Sequence, residues 1–284
     1  MTQNRISFIK IIIFFSFLSF ILQINAQETK KIVILHTNDT HSQVVPTANN
    51  SSNPNMGGYA RRMGVIDSIR LAESNVLLFD AGDFVQGTPY FNFSGGRVEI
   101  DAMNRMKYDA ATLGNHEFDN GIDSLAMILQ KATFPFVVAN YDFSATILKD
   151  LVKPYIVVER FGLRIGIFGL LLDHKGIISD NKCEGIIYKD PIKTAISTSD
   201  LLKNKEKCDI IICLSHLGSE DIPIVNDNDI ARASKYIDVI IGGHSHTLTK
   251  DNTKVLNKNG NTVILSQMGA QGLYLGIINL ELMK

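Results

Sequence analysis

Eight side chains able to hold a metal ion or move a proton recur in five short polar stretches of this sequence. They are Asp39 and His41, then Asp83, then Asn115 and His116, then His216, then His244 and His246. Carboxylate, amide and imidazole donors without a thiolate suit hard-to-borderline divalent ions such as Mn, Fe, Zn or Co. A purely structural zinc site would more often be closed and rich in cysteine. Eight donors also exceed what one tetrahedral ion needs, so two ions sharing a bridging carboxylate fit better. Ions about 3.5–4 Å apart can polarise a phosphoryl oxygen and generate a hydroxide nucleophile near neutral pH. Taken singly, the stretches are weaker. Asp39-x-His41 and Asp83 after Gly82 would pass as turn residues, and His216 as a satisfied strand-end histidine. His244-Ser245-His246 is stronger, because two imidazoles behind Gly242 and Gly243 have no packing purpose, and glycine lets backbone bend close to a ligand. His36 and His174 are left over and read as structural.

Each stretch follows a short apolar run, and those runs must position it. Residues 31–35, 76–79, 109–113, 209–214 and 239–241 read as buried strands. Further strands are expected at 134–139, 262–266 and 272–282, and a hairpin at 155–158 and 163–168 turning at Phe161-Gly162. Helical spacing is present over 59–73, with Met63, Ile66, Ile69 and Arg70 on or near one face. It recurs near 97–106, over 119–131, from Asp190 or Thr194 to Lys205, and within 222–236. Arg61-Arg62 reads as a solvated helix face, and Phe84, Tyr90, Phe91 and Phe93 as core or rim packing. Strands alternating with helices predict an α/β fold with a mixed sheet. In such sheets the ligand crevice lies outside the carboxyl ends of the strands, so residues distant in sequence can meet at one rim.

The 284 residues are 45% hydrophobic, ample for a large core, and the net charge of −1 offers no basic field for nucleic acid. Arg5 and Lys10 precede an apolar run from Ile11 to Leu22, followed by Ile24-Asn25-Ala26. That is the layout of a secretory signal peptide over residues 1–26. The run is short for a bilayer span, which needs about 20 residues; an uncleaved N-terminal anchor is the alternative. With no linker dividing the rest, residues 28–284 read as one domain, exported across the inner membrane to the periplasm. Cys183, Cys208 and Cys213 read as core hydrophobes, since Cys208 and Cys213 flank one extended strand too long for a disulfide.

Five segments carry a resemblance. They are Ile34-Leu35-His36-Thr37-Asn38-Asp39-Thr40-His41, Asp80-Ala81-Gly82-Asp83, Gly114-Asn115-His116-Glu117-Phe118-Asp119, Leu214-Ser215-His216-Leu217-Gly218 and Gly242-Gly243-His244-Ser245-His246. In this order they resemble the 5′-nucleotidase family within the calcineurin-like metallophosphoesterases. The resemblance implies a four-layer α/β/β/α sandwich with two mixed sheets. It implies two divalent ions, of Zn, Mn, Fe, Co or Mg. One would be bound by Asp39, His41 and His246, the other by Asn115, His216 and His244, with Asp83 bridging. His116 would face the phosphate and stabilise the transition state, with Asp119 orienting its ring; Asn115 and His116 would touch substrate. The expected function is hydrolysis of phosphomonoesters, nucleotides in particular, by attack of a hydroxide held between the ions. Cyclic-nucleotide or sugar-nucleotide hydrolysis is the alternative within the same chemistry. Family members usually continue into a second domain carrying an aromatic clamp and arginines for the nucleoside. The expectation here is therefore the catalytic domain alone, with a separate substrate-binding polypeptide as a partner; a subunit inactive without that partner is the alternative from another class.

Overall fold

The computed structural model describes residues 29–219 and 225–283. In chain order these form β1 (Thr29–Thr37), α1 (Tyr59–Ala72), β2 (Val76–Asp80), α2 (Pro89–Ser94), α3 (Arg97–Met106) and β3 (Ala110–Ala111). A 3-10 turn (His116–Phe118) leads into α4 (Gly121–Leu129), β4 (Phe136–Val137), β5 (Tyr141–Asp142), β6 (Val152–Lys153), β7 (Tyr155–Arg160) and β8 (Leu163–Leu171). Then come β9 (Ile187–Tyr188), α5 (Pro191–Asn204), β10 (Ile210–His216), α6 (Asp227–Ala233) and β11 (Val239–Ile241), followed by β12 (Thr253–Leu256), β13 (Thr262–Ser266) and β14 (Gly276–Met283). Residues 33–278 make one compact unit that holds every candidate site residue; residues 29–32 and 279–283 belong to a second, small one. The expected leader, residues 1–26, lies outside the described residues.

Two large mixed sheets carry the fold, as the fold class anticipates. The first has the order β14-β1-β2-β3-β4-β6, the second β12-β13-β11-β10-β8-β7. β1, β2, β3, β4 and β6 pair in parallel, and so do β8, β10, β11 and β13. Parallel pairing points the carboxyl ends of neighbouring strands the same way. It therefore delivers the loops after β1, β2 and β3 to one rim and those after β10 and β11 to another. The sheets come into contact where Ala139, just after β4, donates its N–H to Gly169 O of β8 at 2.8 Å. Every residue of β10 is buried, and so are the aromatic rings of Phe79, Phe84, Phe136 and Phe168, all at 1% exposure or less. Truncating one such ring to alanine costs about 3–5 kcal/mol. The rim is thus bolted to a rigid core.

Local chemistry sets the boundaries. Asp190 caps α5 by accepting from Lys193 N at 2.8 Å, and Pro191 fills the first helical turn. Asn226 and Asp229 form a capping box on α6. Phe161 and Gly162, both at positive φ, turn the β7–β8 hairpin. The third and fourth strands are shorter than the apolar runs suggest. Asp109 N and Thr112 N still donate to Leu78 O and Asp80 O, but side chains enter the pairing, Asp109 accepting from Leu78 N and the Thr112 hydroxyl donating to Val137 O, both at 2.8 Å. The helix expected from 119 begins at Gly121, behind the 3-10 turn. On α1 the buried side chains are Tyr59, Arg62 and Ile66, while Met63 is exposed. Arg62 is thus not on a solvated face: its guanidinium lies over the Tyr59 ring, 5.1 Å from the centroid, and donates to Gly272 O. All three cysteines are free and buried.

His36 is buried on β1, with Nε2 3.0 Å from Ser266 Oγ and no partner for Nδ1. Burial pushes its pKa down from 6.5 to about 3. Between those values the unfolded chain binds a proton that the folded chain refuses, so stability falls as pH drops through that window. At about 1.4 kcal/mol per pK unit, the loss at pH 5 is about 2 kcal/mol. His36→Gln should flatten the fall in melting temperature between pH 7 and pH 5; identical slopes in both proteins would contradict this.

Candidate metal centre

The loops at the two rims bring seven of the eight candidate side chains into two adjoining clusters, with His116 beside them. Asp39, His41 and His246 form one, Asp83, His216 and His244 the other; within each, one donor atom per residue lies within 4.8 Å of the others. In the first, His41 Nε2 and His246 Nε2 face each other at 3.0 Å, and His246 Nε2 is 3.4 Å from Asp39 Oδ1. In the second, His216 Nε2 is 3.1 Å from Asp83 Oδ2. Asn115 joins it through Oδ1, 3.0 Å from His244 Nδ1. The clusters touch, since Asp39 Oδ1 is also 4.0 Å from His216 Nε2.

These contacts fit a pair of cations. His216 Nδ1 lies 2.7 Å from Ala81 O, a pure acceptor, so Nδ1 carries the ring proton. Nε2 then faces the Asp83 carboxylate, and it is a buried atom without an aligned hydrogen bond. Electron-rich atoms converging in this way need positive charge between them, and a backbone carbonyl fixing the tautomer is the usual support of a metal-bound imidazole. The electrostatics show the same demand for positive charge beside the carboxylates. Burial alone would lower the His216 pKa, but Asp83 and Asp39 outweigh it and raise it to about 10. Burial would raise that of Asp83, yet His216 and the other imidazoles hold it well below the usual carboxylate range. Burial and the neighbouring His216 push His244 down to about 4, which leaves its nitrogens free for a ligand at neutral pH. The His41 pKa is lowered by burial and pulled upward first by Asp83, then by Asp39. The Asp83 charge thus reaches the other cluster.

The backbone is bent to make this possible. Among the described residues, Asp39, His41, Ser42, Asp83, Gln86, His244, His246 and Gln271 around the site all have positive φ. Left-handed backbone is uncommon for such residues and persists where surrounding structure enforces it, often at functional sites. A Cβ on Gly243 would come 2.7 Å from His216 Nδ1 and 2.8 Å from Ala81 O, and one on Gly114 would strike Asp83 Oδ1. Both positions need glycine for close approach.

His116 stands apart from both clusters. Its Nδ1 is 2.8 Å from Asp119 Oδ2, its backbone N donates to Asp83 Oδ1 at 2.9 Å, and its ring meets that of His41 edge-on at 5.4 Å. It opens onto a cleft of about 520 Å3 shared with His41 and His246. Neither His36 nor His174 lines it; His174 packs edge-on against Tyr141, 5.7 Å between centroids.

Two supports were not evident in the sequence. Glu117 is buried, and its carboxylate accepts from Asp83 N and Phe84 N at 2.9 Å, Val85 N at 3.2 Å and Gly114 N at 2.5 Å. One side chain therefore ties the loop after β2 to the loop after β3. Burial and the Asp83 charge push its pKa up, and the backbone donors pull it back. Its place three residues after Gly114 was visible; its inward rotamer was not. Asn38 Nδ2 donates to Asp39 Oδ2 at 2.6 Å and to Gly269 O at 2.8 Å, while its Oδ1 accepts from Met268 N at 2.8 Å. It fixes the first ligand against the loop after β13.

The sequence model of the calcineurin-like phosphoesterases matches residues 32–248. A snake venom 5′-nucleotidase of Crotalus adamanteus is 34% identical over 88% of the chain and 45% of its own length. The 5′-nucleotidase of Homo sapiens is 35% identical over 88% and 46%. The crystal structure of a 5′-nucleotidase precursor from Thermus thermophilus superposes with a TM-score of 0.81 at 36% identity, covering 88% of this chain and 51% of the other. The chain spans about half the length of these relatives.

Proposed function

This chain belongs to the calcineurin-like phosphoesterase family, a metal-dependent class of phosphoester hydrolase, and from that premise we propose that it is an exported two-metal phosphomonoesterase acting on nucleotides. The observation carrying the reading is the pair of adjoining clusters with Asp83 and Asp39 at their junction. Enzymes of this family use two divalent ions. On this reading Asp39, His41 and His246 hold one ion, Asn115, His216 and His244 the other, and Asp83 both. A bound pair of ions would polarise the phosphoryl oxygens and supply a hydroxide nucleophile.

The remaining roles belong to the chain. Asp119 accepts the Nδ1 proton of His116 and so fixes the tautomer and the ring plane. His116 then faces the cleft through Nε2. When protonated there, it donates to a phosphoryl oxygen or to the departing alcohol as negative charge develops, which is worth most in the transition state. Asn115 contributes its amide to the same face of the phosphate. Glu117 and Asn38 hold the ligand loops in place, so little reorganisation accompanies the reaction.

The nucleotide preference rests on the relatives named 5′-nucleotidase. The export reading rests on residues 1–26 and is checked by N-terminal sequencing of the protein from its source. A first residue at Gln27 or Glu28 is expected; an intact Met1 would refute cleavage. Among the described residues no helix is long and apolar enough to cross a membrane. Steady-state assays with added Mn2+ on adenosine monophosphate, a cyclic nucleotide and a sugar nucleotide test the reaction class. The monoester should turn over fastest, and preference for either of the others would overturn the reading.

A further inference from the structure

The cleft beside His116 has a wall that phosphoryl chemistry does not need. Besides His41, His116 and His246 it is lined by four residues with side-chain amides, Gln43, Asn53, Gln86 and Gln271. No lysine, arginine or carboxylate lines it, and the apolar contribution comes from Ala270 and Leu273. Among the described residues, the side chains of Asn53, Gln86 and Gln271 make no hydrogen bond, and Gln43 uses only Nε2, donating to Val45 O at 2.7 Å. Each amide is both donor and acceptor, so the wall offers hydrogen bonds of both kinds and no charge.

The wall is held, not loose. Gln86 and Gln271 sit at φ 68° and 58°, within the same strained set as the candidate ligands. Gln271 N donates to Asp39 O at 2.7 Å, and Thr88 Oγ1 donates to Ser42 O at 2.7 Å. A Cβ on Gly87 would come 3.1 Å from His41 Cβ and O. The two loops bearing these amides are thereby fixed to the loop that carries Asp39 and His41.

We infer that the amide wall is a leaving-group subsite for a neutral, polyhydroxylated alcohol, of which a pentose is the simplest example. The inference rests on the phosphomonoesterase reading and deepens it. Adjacent hydroxyls both donate and accept, matching the amides, and His41 and His246 of the first cluster line the same cleft. A second phosphate on the leaving group would find no cation here, so this wall selects monoesters of polyols over anhydrides.

The test compares ribose 5-phosphate with p-nitrophenyl phosphate, using the full chain with Mn2+. Gln86→Asn combined with Gln271→Asn shortens both amides, and asparagine tolerates the left-handed backbone that alanine does not favour. Losing two net hydrogen bonds predicts a fall of about tenfold in the ratio of kcat/KM for ribose 5-phosphate to that for p-nitrophenyl phosphate, expressed mainly in KM. A ratio unchanged within about twofold, in a variant whose melting temperature matches the parent, overturns the subsite. Hydrolysis of neither ester by the unaltered protein would instead sink the phosphomonoesterase reading, and the subsite with it.

Discussion

Asp83→Ala should leave the protein with neither ion and no measurable hydrolysis. Asp83 is buried at 2% exposure, 3.1 Å from His216 Nε2, and its charge is the first to oppose burial at His41 in the other cluster. Removing it takes away the carboxylate that the imidazoles of both clusters share, and leaves their converging nitrogens with too little negative charge to retain divalent ions. Elemental analysis of the purified variant measures this. Two ions retained per chain at parental affinity would refute the bridging assignment. Glu117→Gln should be a weaker relative of this change. An amide at that position turns an NH2 group toward backbone donors that the carboxylate now accepts, so the loops of Asp83 and Gly114 lose register. Loss of such support around a metal site costs about 10–100-fold in metal affinity or activity.

His116→Asn is the second large effect, and it should divide the two functions of the site. His116 lies outside both clusters and makes its ring contact with Asp119. The variant should therefore keep its metal content while turnover falls by about 10²–10⁴-fold, the usual contribution of a positioned acid or base. Asp119→Asn should give a smaller defect of the same kind, since the amide keeps a hydrogen bond to the ring but holds its orientation with a weaker, neutral acceptor. Metal loss equal to that of Asp83→Ala would show that His116 is a ligand after all.

Much of this was legible in the sequence because parallel pairing makes the rim predictable. Apolar runs at 76–79, 209–214 and 239–241 identify strands, and whatever follows each run must lie at the carboxyl end. The strand at Thr262–Ser266 and the helix at Arg97–Met106 were legible from patterns that match their burial, and the helix at Tyr59–Ala72 was legible in extent but not in its buried face, where Arg62 replaces Met63. What escaped has identifiable causes. β12 is an edge strand with mostly exposed side chains and so shows no apolar run. α2 is a short helix in which Phe93 points outward at 87% exposure, so its aromatic residues read as packing in a loop. Arg62 is buried over Tyr59, a tertiary choice that helical spacing cannot reveal. The same holds for Glu117 and for the amide wall. Glu117 reads as one more polar loop residue until its rotamer is known. Gln43 and Asn53 share the loop after β1, while Gln86 and Gln271 come from two others, and their meeting depends on loop conformations at positive φ.

The central claim is that two ions, held by these clusters, make the chain a phosphomonoesterase. It is tested most directly by stripping the protein with a chelator and titrating Mn2+ back. Bound metal and hydrolysis of adenosine monophosphate are followed on the same samples. The account predicts two ions per chain at saturation, no hydrolysis in the stripped protein, and activity that rises only as both positions fill. Full activity in the stripped protein, or saturation at a single ion with activity already complete, would contradict it.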